Sequence, residues 1–359
     1  MDINENSHYV LNPWIHINES EGSYFVSDKL NGNEFQIPLT LLDSAIISIN
    51  KNDYNQKDVK FLISLFVIIN KQLVYLFENP ILDKSNRIKG KEIKLHELSK
   101  YSNINIIIGV PYDFSQTVSR SAHYGPFTIR KVVQSNSIQL RELYDLGDIL
   151  FFIQEGLKAF NDKLKFILQN IINSSNVPIL LGGDHSITYW VAKSLNEIFK
   201  EKIDYFIFDA HLDSYGNDQN IKRLNNANFI YHLSKLSAIS TIYQLGIRKK
   251  EFKKKNLLNE IGEILKFNYK NSTVNNYKKN CYISIDMDYF DSSICKNVTH
   301  PESNGYQLED FFNHLDTIKK NYKIVGIDIM EIWGNGKEVN DSAILASNII
   351  SKINSYAFQ

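Results

Sequence analysis

Several things are scarce in this sequence. Cysteine occurs twice in 359 residues, at Cys281 and Cys295. Two thiols cannot build a disulfide framework, so a reducing cytoplasm is the expected location. Neither sign of charge is in excess: 40 basic and 40 acidic side chains give a formal net charge of zero. A general nucleic-acid binder would carry a basic surplus, so no nucleic-acid partner is expected, and an acidic disordered chain is excluded too. Long apolar runs are missing. The most apolar stretch, residues 61–70 and then 73–77, is interrupted by Lys71 and Gln72. Neither piece reaches the ~18 residues of a membrane span, so no membrane association is expected and residues 58–77 read as a buried helix. The first residues, Met1-Asp2-Ile3-Asn4-Glu5-Asn6, carry acids where a signal peptide needs bases. Seven prolines are too few to mark linkers, and no repeat of solenoid period is visible.

What is present changes character along the chain. Residues 8–17 and 23–38 read as short strands with a turn at Asn31-Gly32-Asn33, followed by helical spacing over 39–49. Residues 83–102 are highly charged and read as a linker or exposed face. From Ile104 onward, short apolar runs alternate with helical stretches. Six such runs are residues 105–109, 177–181, 204–208, 241–245, 281–285 and 323–327. Continuously apolar strands separated by helices indicate a parallel sheet covered on both faces. The expected architecture is therefore an α/β domain over 104–359, a three-layer parallel sheet with helices on both faces, preceded by a small α+β domain over 1–95.

Three of the strand ends carry polar groups unsuited to a core: Gly182-Gly183-Asp184-His185, Asp209-Ala210-His211-Leu212-Asp213 and Asp286-Met287-Asp288. In extended chain, residues two apart face the same way. Asp209, His211 and Asp213 then share one side, as do Asp286 and Asp288. Parallel sheets place ligands beyond the carboxyl ends of their strands, which would bring these four aspartates and the two histidines together. Four carboxylates cannot stay ionised in a buried crevice without compensation. Two divalent cations would supply it. The mixture of oxygen and imidazole donors suits manganese better than magnesium or calcium, and the lack of cysteine argues against a thiolate zinc site.

Taken together, Gly182-Gly-Asp-His-Ser186, Asp209-Ala-His-x-Asp213 and Ser284-Ile-Asp-x-Asp-x-x-Asp291 resemble the three metal-binding signatures of the ureohydrolase (arginase and agmatinase) family. Gly109-Val-Pro-Tyr-Asp113 with Arg120, Gly125-Pro126-x-x-Ile129-Arg130, Asp145-Leu-Gly-Asp148, Gln244-Leu-Gly-Ile-Arg248 and Gly326-Ile-Asp-Ile-Met-Glu331 resemble further family segments. The resemblance covers roughly residues 104–355 in the expected order. It implies that His185, Asp209, Asp213 and Asp286 hold one manganese ion. His211, Asp209, Asp286 and Asp288 would hold a second, with Asp209 and Asp286 bridging. It implies hydrolysis of a guanidinium to urea and a primary amine. Asp213 would carry a proton to the leaving amine, Glu331 would bind the guanidinium, and the enzyme would be a homo-oligomer. Asp328 is either an acceptor for a ligand histidine or a strand-end cap.

Two positions depart from the family pattern. Where the family often has a His-Gly segment, this sequence reads Leu224-Asn225-Asn226-Ala227-Asn228. Asn226 is the expected equivalent, a substrate contact that cannot shuttle protons as an imidazole does, and His232 lies six residues on. Ser292 follows Asp291 where the family usually has proline, a change of loop stiffness more than of chemistry. The loop Ser214–Arg223 lacks the pattern that family members acting on free arginine use to hold its amino and carboxylate groups. The leading hairpin-then-helix order resembles small winged-helix domains that bind leader peptides. This combination resembles the peptide arginases, so the expected partner is an arginine-containing precursor peptide whose arginine becomes ornithine. A small free guanidine (agmatine, arginine or guanidinobutyrate) is the first alternative. A catalytically weak metal-bound binding protein is the second.

Overall fold

The computed structural model describes residues 9–11, 15–20, 23–28, 33–64, 67–70, 81–116, 121–135, 142–151, 156–214, 223–248, 278–336 and 338–356. The chain divides into two compact units, Met1–Ile81 and Leu82–Gln359.

The first unit contains β1 (Tyr9–Leu11), β2 (Ile15–Ser20), β3 (Ser23–Asp28), β4 (Asn33–Pro38), α1 (Leu39–Asn50), α2 (Lys57–Ser64) and β5 (Ile68–Asn70). Strands β2, β3 and β4 form an antiparallel sheet in that order, and β1 pairs antiparallel with β5. Helix α1 buries Leu42, Ala45, Ile46 and Ile49, the three- and four-residue spacing of one helical stripe. These side chains meet Val26, Ile37, Val59, Leu62 and Val67 in a small core. The helix expected over 58–77 ends instead at Ser64. The β-branched run Val67-Ile68-Ile69 is better accommodated in extended chain, where it continues into β5. Residues 71–80 lie outside the described residues, as does the turn at Asn31-Gly32.

The second unit is built on β6 (Leu82–Asp83), β7 (Asn105–Val110), α3 (Gly125–Ser135), β8 (Leu143–Ile149), α4 (Gly156–Asn173), β9 (Val177–Gly182), α5 (Ile187–Ile198), β10 (Ile203–Phe208), α6 (Phe229–Leu233), β11 (Ile239–Leu245), β12 (Lys279–Asp286), α7 (Leu308–Asn321), β13 (Tyr322–Met330) and α8 (Asp341–Asn354). The sheet order is β11-β10-β12-β13-β9-β7-β8-β6. Every pairing is parallel except that of β6 with β8. Ile179 and Leu181 of β9 share one core with Ile129 and Val132 of α3, Phe311 of α7 and Ile349 of α8. Leu180 between them is equally buried and, by the two-residue period, faces the opposite side, where α4 packs against α5 and against β9.

Two features go beyond the sequence reading. Of the linker and exposed face that residues 83–102 suggested, the structure shows the exposed face. Ile88, Ile93 and Leu98 are buried, and the Ile88 N–H donates to Asp145 Oδ2 at 3.0 Å. The charges face outward while every fifth residue or so anchors the segment. Strand β8 also escaped notice because Asp145 and Asp148 interrupt its apolar pattern. Arg130 explains them. Its Nε and Nη2 donate to the two oxygens of Asp145 at 2.8 and 2.9 Å, and Nη1 donates to Asp148. This buried fork joins α3 to β8 with its charges matched.

Candidate metal centre

Four neighbouring strands, β10, β12, β13 and β9, end on the same side of the sheet because they run parallel. Phe208 is in register with Ile285, so the next residues, Asp209 and Asp286, emerge at one level. Asp286 pairs with Met330, which places Glu331 beside them. The end of β9 turns sharply into the His185 segment. A Cβ on Gly183 would lie 1.9 Å from the Tyr112 carbonyl oxygen, so only glycine allows this close approach.

The structure brings together all six side chains expected to bind metal. His185 Nδ1 lies 3.2 Å from Asp209 Oδ2, 3.1 Å from Asp286 Oδ2 and 3.7 Å from Asp213 Oδ2. His211 Nδ1 lies 2.8 Å from Asp288 Oδ2 and 3.6 Å from Asp209 Oδ1. The ligand atoms fall into two groups, each within 4.8 Å: His185, Asp209, Asp213 and Asp286, and Asp209, His211 and Asp288. Asp209 belongs to both groups. Asp286, expected to bridge as well, belongs only to the first. Its Oδ1 accepts the Asp288 N–H at 2.9 Å, leaving Oδ2 to face His185.

The donors fit a cation. His185 Nε2 contacts Ser284 Oγ at 2.9 Å, Ser284 Oγ meets Thr188 Oγ1 at 3.0 Å, and the Thr188 hydroxyl donates to Asp328 Oδ2 at 3.0 Å. Read from its carboxylate end, this chain makes Nε2 a donor, so that a His185 neutralised by a bound cation would carry its proton there. The Nδ1 lone pair then points at three carboxylates. His185 Nδ1 and Asp209 Oδ2 are fully buried and have no hydrogen-bond partner among the described residues. Asp328 thus supports His185 through two hydroxyls rather than directly.

Protons respond to the same crowding. Burial opposes charge on His185, but Asp209 and Asp286 outweigh it and hold the imidazole well above its usual range. Burial opposes charge on His211 as well, yet Asp209 and Asp288 push it up to about 12. Burial and then the Asp209 charge raise Asp213 well above the usual carboxyl range, and burial with Asp288 raises Asp286 likewise. Asp209 goes the other way. Burial would raise it, but the facing imidazoles of His185 and His211 bring it to about 2. Protons therefore sit where a cation would otherwise balance the carboxylates.

Beside the cluster, Glu331 is 4% exposed. Its Oε1 accepts the His185 N–H at 2.8 Å and Asn226 Nδ2 at 3.4 Å. Its Oε2 accepts Gln116 Nε2 at 2.8 Å and the Thr299 hydroxyl at 2.6 Å. Glu331 and Asp213 have φ of 65° and 44°, left-handed values that non-glycine residues rarely adopt and that concentrate at functional sites. The Gly183 carbonyl accepts the Glu331 N–H at 2.9 Å, and the Asp213 carbonyl accepts the Ile230 N–H at 3.0 Å. His232 is elsewhere: it lies on α6 against Tyr189, outside both donor groups.

Gln116, Thr299 and Glu302 were missed from sequence. Gln116 follows the end of β7, so the strand-end rule could have found it. Thr299 and Glu302 lie in an irregular loop without a spacing signal. Glu302 Oε1 is 3.4 Å from His211 Nε2. Arg248 fastens this loop, donating to the carbonyls of Asp288 at 2.6 Å and Glu302 at 3.2 Å. The Ser292 N–H donates to the Glu302 carbonyl at 3.0 Å, a bond that proline at this position could not make. Arg120 and residues 215–222 of the loop after Asp213 lie outside the described residues.

Comparison with known proteins agrees with this geometry. An agmatinase from Pyrococcus horikoshii is 28% identical over 262 residues, covering 68% of this chain and 89% of its own. The agmatine ureohydrolase of Thermoplasma volcanium shares the fold, with a TM-score of 0.58 at 22% identity, covering 76% of this chain and 94% of its own. Trypanosoma cruzi formiminoglutamase with Mn2+ shares it as well, with a TM-score of 0.58 at 18% identity, covering 73% and 97%. The arginase family model matches residues 104–354. That is well over half of the sequence, and the chain belongs to the arginase family, as a metal-dependent hydrolase of linear amidines.

Proposed function

We propose that this enzyme hydrolyses the guanidino group of arginine residues in a ribosomally made precursor peptide, giving ornithine and urea, with two manganese ions. Glu331 carries the guanidino reading. It is a buried carboxylate with a fixed direction beside the donor cluster, the partner a planar cation needs. His185, Asp209, Asp213 and Asp286 would hold one ion, and His211, Asp209, Asp286 and Asp288 the other. Bound there, divalent cations lower the pKa of the attacking water. Asp213, its carboxyl raised by burial and by Asp209, takes up a proton at its carboxylate and delivers it to the departing amine. Asn226 touches Glu331 and contacts substrate, and no imidazole is needed at that position.

The peptide part of the proposal is supported by the first unit, which lies outside the family match. Its β2-β3-β4 sheet has outer strands bonded on one side within the sheet, and a peptide recognised by strand addition uses such an edge. Two free buried cysteines fit a reducing cytoplasm, and no described helix is long and apolar enough to cross a membrane. A second reading, a small free guanidine such as agmatine, is favoured by the agmatinase relative. The test is urea release by the manganese-loaded enzyme from an arginine-containing peptide, free arginine and agmatine, and formamide release from N-formimino-glutamate. Mass spectrometry of the peptide would show loss of a CH2N2 unit at the converted arginine. Urea from the peptide alone supports the proposal. Turnover of agmatine but not of peptide replaces it with the second reading, and turnover of the formimino compound alone removes both.

A further inference from the structure

The wall around Glu331 holds more acceptors than Glu331 itself. Each Glu331 oxygen already takes two donors, from His185 and Asn226 on one side and from Gln116 and Thr299 on the other. A carboxylate offers about four lone-pair sites, so its capacity is filled. Its charge remains available to a cation, but new hydrogen bonds have to end elsewhere. Two neighbouring amide oxygens are free for that purpose. Gln116 Oε1 and Asn226 Oδ1 are buried and have no hydrogen-bond partner among the described residues.

Both amides are held in place. Gln116 Nε2 donates to Thr299 Oγ1 at 2.9 Å as well as to Glu331, which fixes the direction of its oxygen. The Ser115 N–H donates to Asp184 Oδ2 at 2.9 Å, and the Ser115 carbonyl accepts the Asn226 N–H at 3.3 Å. One residue thus ties the Gln116 loop to the Asn226 loop and both to the His185 segment. A buried acceptor left unpaired costs about 1–3 kcal/mol. Two such acceptors, on side chains that both touch a buried carboxylate, constitute a receptor for a cation rich in N–H groups.

We propose that Gln116, together with Asn226, is a specificity-determining acceptor pair that reads the N–H groups of a guanidinium held by the charge of Glu331. This rests on the guanidino reading above and deepens it. An N-alkyl guanidinium presents five N–H donors, whereas a formimino group presents three. The pair therefore selects guanidines over formimino compounds, and unsubstituted guanidines over those methylated on a terminal nitrogen. Asn226 fills the position of an absent histidine with an acceptor rather than a proton carrier.

The test compares kcat/KM for a guanidine and for its terminal N-methyl derivative, in the manganese-loaded parent and in Gln116→Met. The guanidine is whichever of agmatine, arginine or an arginine-containing peptide the parent hydrolyses fastest. Methionine keeps the length of the side chain and removes the acceptor. The parent is expected to prefer the unmethylated compound by tenfold or more, and Gln116→Met to shrink that preference about tenfold with metal content unchanged. A structural role alone would lower both activities and leave their ratio intact. If Gln116→Met fails to fold, Gln116→Ala makes the same comparison. An unchanged ratio with an active parent overturns the Gln116 assignment alone. Absence of urea from every guanidine overturns it together with the guanidino reading.

Discussion

The second unit contains two buried clusters of aspartate, and they differ in what balances them. At the β8 side of the sheet, Asp145 and Asp148 face Arg130, whose three guanidinium nitrogens are all engaged. Burial still pushes the Asp148 carboxyl upward, but no fully buried side-chain nitrogen or oxygen of this trio lacks a partner. At the ends of β9, β10 and β12, the described cationic side chains facing four aspartates are His185 and His211. There His185 Nδ1 and Asp209 Oδ2 have no hydrogen-bond partner among the described residues, and protons are drawn onto the imidazoles and three of the carboxyls. The first cluster carries its own cation and serves the fold. The second is complete only with cations from outside and serves the chemistry. Burying carboxylates is tolerable in either way.

The sharpest break of this contrast is Asp209→Ala, which removes the one side chain shared by both donor groups. Metal-assisted activation is worth several kcal/mol, so kcat should fall by roughly a thousandfold or more. Metal analysis of the purified variant should show at least one ion per chain lost. Full activity would refute the shared-ligand assignment. Next in size is Arg130→Ala, which leaves two carboxylates without their cation. Denaturant unfolding should show a loss of about 3–5 kcal/mol, and added manganese should not reverse it. Recovery with manganese would mean that the two clusters are not separate.

A smaller effect is expected from Ser284→Ala, which removes the contact of His185 Nε2. Support of this kind changes metal affinity about 10–100-fold, so manganese titration of the variant should reveal weaker binding with the fold kept. Unaltered affinity would show that the hydroxyl chain to Asp328 does not orient His185. The pH dependence has a definite sign. Asp213, Asp286 and Asp288, raised chiefly by burial, and His185 and His211, raised by their carboxylate neighbours against burial, hold more protons in the metal-free fold than in the unfolded chain. Metal-free stability therefore falls as pH rises through the neutral range. The ordinary Asp209 carboxyl, lowered to about 2, does not titrate there. Metal must displace the held protons, so the manganese-induced rise in Tm should be larger at pH 8 than at pH 6. An equal or opposite change would contradict this. Smallest is Ser292→Pro, which deletes one N–H bond to the Glu302 carbonyl and should cost about 1 kcal/mol in thermal unfolding. A stabilised variant would show that the bond contributes nothing.

Much of this is legible in the sequence. The ligand set could be read because strand-end residues two apart must share a face, and because six of the sheet's strands are predominantly apolar. Strand β8 was hidden by Asp145 and Asp148, whose compensation by Arg130 is a long-range fact. Gln116 and Glu302 act through loop geometry that has no periodicity. The helix expected over 58–77 failed because pairing with β1 decides the fate of Ile68–Asn70, and hydrophobicity alone does not distinguish helix from strand.

The most direct test of the central claim is the metal stoichiometry of the purified chain reconstituted with manganese, read alongside its unfolding midpoint. Two ions per chain, with the midpoint raised by manganese in the parent and much less in Asp209→Ala, is the predicted result. Less than one ion per chain at saturation, with no change in the midpoint, would contradict the account.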